Sequence, residues 1–199
     1  CAGSDRLCRR SGTRVRLAAA VSQWQIAAKF WCRNRPMVSK RLSRQAGHRR
    51  KFLAIIDDTP ECERAVAYAS RRARTTNGVL VLLFVIEPGD FQHFLGVEKI
   101  MREEATAAAK SALDHHAVRA REQHGIEPEL VIREGKPAEE IHKLIEEDQD
   151  IAILVLAAGM GKEGPGPLVT AVAGKGTGFA IPVTVVPQGL SDEDIENLA

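Results

Sequence analysis

Residues 79–86 read VLVLLFVI, from Val79 to Ile86. Eight apolar residues in a row do not show the alternation of a strand with one wet face. Asn77-Gly78 punctuates the chain just before it. This is the pattern of a central strand in a parallel sheet, covered on both faces. Ile151–Leu156 (IAILVL) repeats it. Phe52–Asp57 (FLAIID) is a shorter version that ends in an acid pair, Asp57-Asp58.

Helical segments fill the gaps between these strands. Pro60–Thr75 has helical spacing, with apolar Ala65, Ala67, Tyr68 and Ala69, and Thr59 or Asp58 is placed to cap it. Val97–His124 is a long helix in which Val97, Met101, Ala105, Ala108 and Ala112 recur at spacings of three and four. Gly125 ends it. Glu129–Ile132 is a shorter strand, and Pro137–Gln149 a helix with Ile141, Leu144 and Ile145 inward. After Ile151–Leu156, a glycine-rich loop (Gly159–Pro167) leads to a helix around Leu168–Phe179 and to a last strand, Pro182–Val186. An acidic tail, residues 188–199, closes the chain, with Ser191 as the cap of one polar turn. Five strands alternating with four helices make an α/β fold: a parallel sheet with helices on both faces. Ligands of such sheets sit beyond the carboxyl ends of the strands, where strand order reverses. That directs attention to Asp57–Thr59 and to Ala157–Pro167.

Charge divides the chain. Residues 1–51 carry 14 Lys+Arg and one acid, Asp5, a net +13. Residues 52–199 carry 14 Lys+Arg and 25 acids, a net −11. Residues 1–50 are therefore read as a basic leader and 51–187 as the folded domain. The chain opens on Cys1 and its first methionine is Met37, so residues 1–36 are expected to be an upstream extension, with Met37 the natural start. Rival readings are a targeting peptide and a nucleic-acid arm in which Trp24 and Trp31 stack on bases. No apolar run exceeds eight residues, against the roughly 20 that a membrane-spanning helix needs. Four cysteines are too few for a disulfide scaffold.

Two features of residues 50–187 resemble the universal stress protein family. One is the opening strand that ends in Asp57 and runs into a helix. The other is the final succession of apolar strand, glycine-rich loop, helix and Pro-Val-x-Val-Val strand. The segment Glu87–Ala105 (EPGDFQHFLGVEKIMREEA) further resembles a proteobacterial branch of that family. The resemblance implies a Rossmann-like sheet of strand order 3-2-1-4-5 and a cytoplasmic homodimer paired through the last strand, Pro182–Val186. It also implies a non-enzymatic role in the stress response, with ATP or another adenine nucleotide bound in one subset of members.

In those ATP-binding members the fourth strand is followed by G-x2-G-x9-G-[S/T], whose glycines admit phosphate close to backbone N–H groups. A literal match runs Gly161-x2-Gly164-x9-Gly174, but Lys175 follows it. Counting 12 residues back from Pro182 instead reaches Thr170, preceded by Val169 where the motif has glycine. Ala157, likewise, stands where a glycine would follow the strand. The second register is preferred, because strand and helix lengths are physically fixed. Gly159, Gly161, Gly164, Gly166 and Thr170 then either shape an anion nest or simply turn the chain. ATP is expected to bind more weakly than about 100 µM, roughly −5.5 kcal/mol or less. Asp57 corresponds to the acid that meets the adenosine moiety in ATP-binding members, and is equally well placed as a cap.

Other residues offer less. His115-His116 are neighbours on a helix, about 100° apart, and cannot share a metal. They are read as surface histidines. Cys62 has no Cys-x-x-Cys partner and is read as a small buried hydrophobe. Glu139, Glu140, Glu146, Glu147, Asp148 and Asp150 are read as a solvated acidic face. His93, in the loop after the second strand, is the one histidine near the expected crevice. No nucleophile elbow, Walker lysine motif or Cys/His cluster occurs. The competing functions are a nucleotide-hydrolysing enzyme on the same fold and nucleic-acid binding through the leader, the −11 body being repelled by nucleic acid.

Overall fold

The computed structural model of the chain describes residues 40–57, 59–87, 95–161, 164–173 and 179–199. The leader up to residue 39, with Met37, lies outside them, as do Asp58, His93 and Gly174. The strands are β1 (Lys51–Ile56), β2 (Val79–Ile86), β3 (Glu129–Glu134), β4 (Ile151–Ala158) and β5 (Val183–Pro187). The helices are α1 (Cys62–Thr75), α2 (Leu95–His124), α3 (Pro137–Glu147), α4 (Pro167–Ala173) and α5 (Asp192–Leu198). Every adjacent strand pair is parallel, in the order β3-β2-β1-β4-β5. The expected α/β sheet is the observed one.

Alternation along the strands builds two cores. Phe52, Ala54 and Ile56 of β1, with Leu80 and Leu82 of β2, point toward α1 and α2. The small residues Cys62, Ala65, Ala69 and Ala73 let α1 lie close against them. Leu53, Leu83 and Leu154 point the other way, onto Ile141, Leu144 and Ile145 of α3. Those three leucines are fully buried, each contributing about 1.5–3 kcal/mol by leaving water.

Several boundaries and faces differ from expectation. β3 and β4 each run two residues further, so Gly159, not Ala157, is the first residue after β4. α3 stops at Glu147. α4 is described from Pro167 to Ala173, and residues 174–178 of its expected span lie outside the described residues. The buried seam of α2 is Ala109, Leu113, His116, Ala117 and Ala120, not the stripe through Ala108 and Ala112. An alanine-rich helix is weakly apolar on every side, so spacing alone does not choose its register. His116 is accordingly buried against α1, whereas His115 is exposed. Glu140 is also buried, paired with Lys143, while Glu139, Glu146 and Glu147 are solvated as expected. In α5, Ser191 and Asp194 form a reciprocal capping box.

The compact unit begins at Ser39. Within it, residues 40–50 hydrogen-bond to the body. Leu42 N–H donates to the Gln149 carbonyl at 3.1 Å, and Arg49 Nη2 to the Gly78 carbonyl at 2.7 Å. The Arg41 guanidinium donates to the carbonyls of Ile145 and Asp148, where a helix end carries partial negative charge. His48 Nδ1 lies 2.8 Å from Asp150. Basic residues of this stretch thus find the acids and helix carbonyls of the net-negative domain.

Candidate functional site

β1 pairs with β4 only as far as Ala54 and Val155. Beyond that point the chain leaves β1 for α1 on one face of the sheet, and leaves β4 for α4 on the other. The two strand ends therefore part, and a crevice opens at the place where strand order reverses. A cavity of about 430 Å³ occupies it. Its walls are the ends of β1, β2 and β4, Ala105 and Ala108 of α2, and the segment Pro165–Val169. Phe84, Leu156, Ala157, Leu168 and Val169 give it an apolar lining, with the carboxylates of Asp57, Glu61 and Glu87 among its polar groups.

Asp57 stands in the cavity wall directly after β1. Its Oδ1 accepts the Thr59 N–H at 3.1 Å and also the Thr59 hydroxyl. The expectation that Thr59 caps α1 is corrected here: Glu61 is the residue at the N-cap, without a side-chain capping bond. Thr59 instead donates to Asp57, because Asp readily bonds the backbone two residues on. Behind Asp57 lies Cys62. Its thiol donates to the Ile55 carbonyl at 3.2 Å, and its sulfur accepts the Asp57 N–H at 3.4 Å. These are backbone groups at the end of β1, past its pairing with β4. Burial pushes the Cys62 thiol up to about 12, so it is no nucleophile at neutral pH.

The loop after β4 uses its glycines in two ways. Gly164 and Gly166 have φ of +86° and +96°, the left-handed region that suits glycine. Gly159 lies closely against Glu61: a Cβ there would lie 2.7 Å from Glu61 Oε1. Glu61 was not singled out from the sequence, and nothing local to residue 61 announces a partner 98 positions away. Gly161 is surrounded by open space. The Gly164 N–H donates to the Gly161 carbonyl at 3.2 Å. Thr170 sits in the first turn of α4, where its N–H and hydroxyl both donate to the Gly166 carbonyl, at 3.0 and 2.8 Å. Asp57 and Gly166 thus share the cavity wall, with Thr170 one residue beyond it. Gly159 stands next to its Glu61 wall.

On the other side of Asp57, α1 and α2 hold His116 between them. Its ring is edge-on to His115, with centroids 5.4 Å apart. Burial, and then the neighbouring His115, hold its pKa below the ordinary value. Among the described residues no group of three His, Cys, Asp or Glu side chains is arranged to hold a metal ion. Nor, among them, is any helix long and apolar enough to cross a membrane.

Comparison with known proteins agrees with this architecture. UspA from Lactobacillus plantarum superposes with a TM-score of 0.59 at 18% identity, covering 69% of this chain and 97% of that one. The universal stress protein of Archaeoglobus fulgidus, solved in complex with dAMP, gives 0.51 at 21% identity, with 69% and 97% covered. A universal stress family protein of Arabidopsis thaliana with AMP bound gives 0.50 at 18%, with 72% and 94% covered. At these identities the likeness establishes the fold. No curated protein matches by sequence. The profile of the universal stress protein family does match, over residues 48–169, which is more than half of the chain. This chain belongs to the universal stress protein family.

Proposed function

We propose that this chain is a non-catalytic, cytoplasmic stress-response protein whose cavity binds an adenine-type ligand weakly. The observation that carries the reading is the cavity itself. At about 430 Å³ it falls within the range of small-ligand sites, about 300–1,000 Å³, and it lies at the point of the sheet where such ligands bind. The dAMP and AMP complexes of proteins with this fold support an adenine compound as the occupant. Asp57 would meet its adenosine part, and Gly159, Gly161, Gly164, Gly166 and Thr170 would border whatever extends toward the loop.

A hydrolase is disfavoured by the chemistry of the lining. Among the described residues the cavity wall holds carboxylates but no His, Lys or Arg, so no general base is paired with a phosphate clamp. For the homodimer, support comes from β5. It is an edge strand, and Val185 is 40% exposed on it; apolar edges are commonly covered by pairing. Native mass spectrometry of the purified protein tests the dimer mass and any co-purifying adenine compound together. Calorimetric titration with AMP and Mg-ATP should give dissociation constants weaker than about 100 µM, with heat lost in Asp57→Ala. Saturable ATP turnover abolished by Asp57→Ala would establish the enzyme instead.

A further inference from the structure

The next step rests on the cavity reading just given and concerns the chemical class of its ligand. We propose that the cavity discriminates against phosphate, and that its preferred occupant is an uncharged, nucleoside-type compound rather than a nucleotide.

Charge is the first ground. Asp57, Glu61 and Glu87 line the cavity, and among the described residues no cationic side chain does. Of the arginines on α1 and α2, Arg64 is paired with Asp192, Arg119 with Glu63 and Arg102 with Glu134. A phosphate entering here meets three acidic residues and, among the described residues, no cationic side chain in the lining, in a partly apolar enclosure that weakens screening.

Geometry is the second. A phosphate-binding loop works by leaving a glycine face open for the anion. At Gly159, the first residue after β4, that face is filled by the Glu61 carboxylate, 2.7 Å from where a Cβ would stand. A carboxylate thus occupies the face of this first glycine, while Gly161, Gly164 and Gly166 face open space.

Hydrogen-bond donors are the third. Pro165 and Pro167 have no N–H. The Gly164 N–H is spent on the Gly161 carbonyl, and the Thr170 N–H and hydroxyl on the Gly166 carbonyl. Among the described N–H groups of this segment, those of Leu168 and Val169 in the first turn of α4 are left beside these bonds. The rest of the lining is apolar, with acceptor carboxylates. That suits a planar ring carrying amine and hydroxyl donors.

The test is a titration of the full chain with adenosine, AMP and ATP at low salt, once with EDTA and once with Mg²⁺. The proposal expects adenosine to bind at least about tenfold more tightly than AMP, and AMP more tightly than ATP, from like-charge repulsion. It also expects Glu61→Gln and Glu87→Gln to narrow the adenosine-to-AMP ratio while thermal melts remain cooperative. AMP or ATP binding as tightly as adenosine, with or without Mg²⁺, overturns it. So does a ratio that neither variant changes. If none of the three binds at millimolar concentration, the reading of the cavity as an adenine site fails, a result distinct from binding with the opposite preference.

Discussion

Replacing Cys62 with alanine should loosen the end of β1 and, with it, the position of Asp57. The thiol is fully buried and bridges the Ile55 carbonyl and the Asp57 N–H. Those two groups lie two residues apart on one edge of β1, just past Ala54, the last residue that pairs with β4. A strand end without a ladder partner needs another source of hydrogen bonds, since buried backbone groups are almost always satisfied. Removing the sulfur leaves both without this partner. The Ile55 carbonyl, whose bond to the thiol is buried, is orphaned at the lower end of about 1–3 kcal/mol because sulfur bonds are weak, whereas Asp57 is exposed and its N–H can turn to water. Loss of the buried sulfur adds about 0.8 kcal/mol if it behaves like a methylene. Cys62→Ala should therefore cost about 2 kcal/mol, a large share of a typical stability of about 5–15 kcal/mol. With a urea slope of about 1–3 kcal/mol/M, the midpoint falls by roughly 0.7–2 M.

Cys62→Ser separates the bridge from the packing. A hydroxyl can donate and accept in the same place, so serine should recover at least half of the loss. Urea titrations followed by circular dichroism measure both variants against the parent. If serine is as damaging as alanine, the sulfur acts through volume and apolarity, and the bridging account is refuted. If both cost under about 0.5 kcal/mol, the end of β1 is held by something else.

Three further outcomes are expected. Val185→Lys puts a charge on the exposed edge of β5 and should convert a dimer to monomer in sedimentation at micromolar concentration, with the domain still folded; a parent protein that is already monomeric defeats the premise. Ser191→Ala removes the capping box of α5 and should cost about 1 kcal/mol, read from the urea midpoint. His116, near Glu63, Arg119, Asp57 and His115, and His124, near Arg71, Arg74 and Asp192, are both held below the ordinary histidine value of 6.5, chiefly by burial. The unfolded chain therefore binds more protons just below pH 6.5, so their contribution to stability is present above that pH and is lost as pH falls toward the folded values. The urea midpoint should be lower at pH 5.5 than at pH 7.5, and the double variant His116→Asn/His124→Asn should lose less over that interval.

The strands were legible because their signal is strong and local. VLVLLFVI and IAILVL leave no face for water, and a chain that places such runs between helices has few arrangements other than a parallel sheet. The long helix was legible as a helix but not in its orientation. Its alanines at 105, 107, 108, 109 and 112 offer several nearly equal stripes, and the choice is made by what packs on it, chiefly Leu113 and Ala120 on the α1 side of the sheet. The same ambiguity hid His116. Two adjacent histidines look like surface decoration until the seam rotates one of them into the α1 interface. Glu140 is the corresponding case on α3: five of its acidic neighbours are outside the core, and only packing against Gly135 and pairing with Lys143 set it apart.

At the cavity the division is similar but more consequential. Asp57 could be located from the string alone, since the end of a central strand at a topological switch is a place defined by order along the chain. The glycines of the loop could be located too, but not their tasks. Gly164 and Gly166 answer to a backbone requirement, visible only as positive φ. Gly159 answers to a neighbour, Glu61, supplied by the start of α1. A glycine motif counted by spacing treats these positions as equivalent, and here they are not. The residue that most changes the chemistry of the loop is the one the motif does not contain. Glu61 turns the first glycine after β4 from an opening for an anion into a seat for a carboxylate, so the charge of the site is decided by a contact across the crevice rather than by the loop's own sequence.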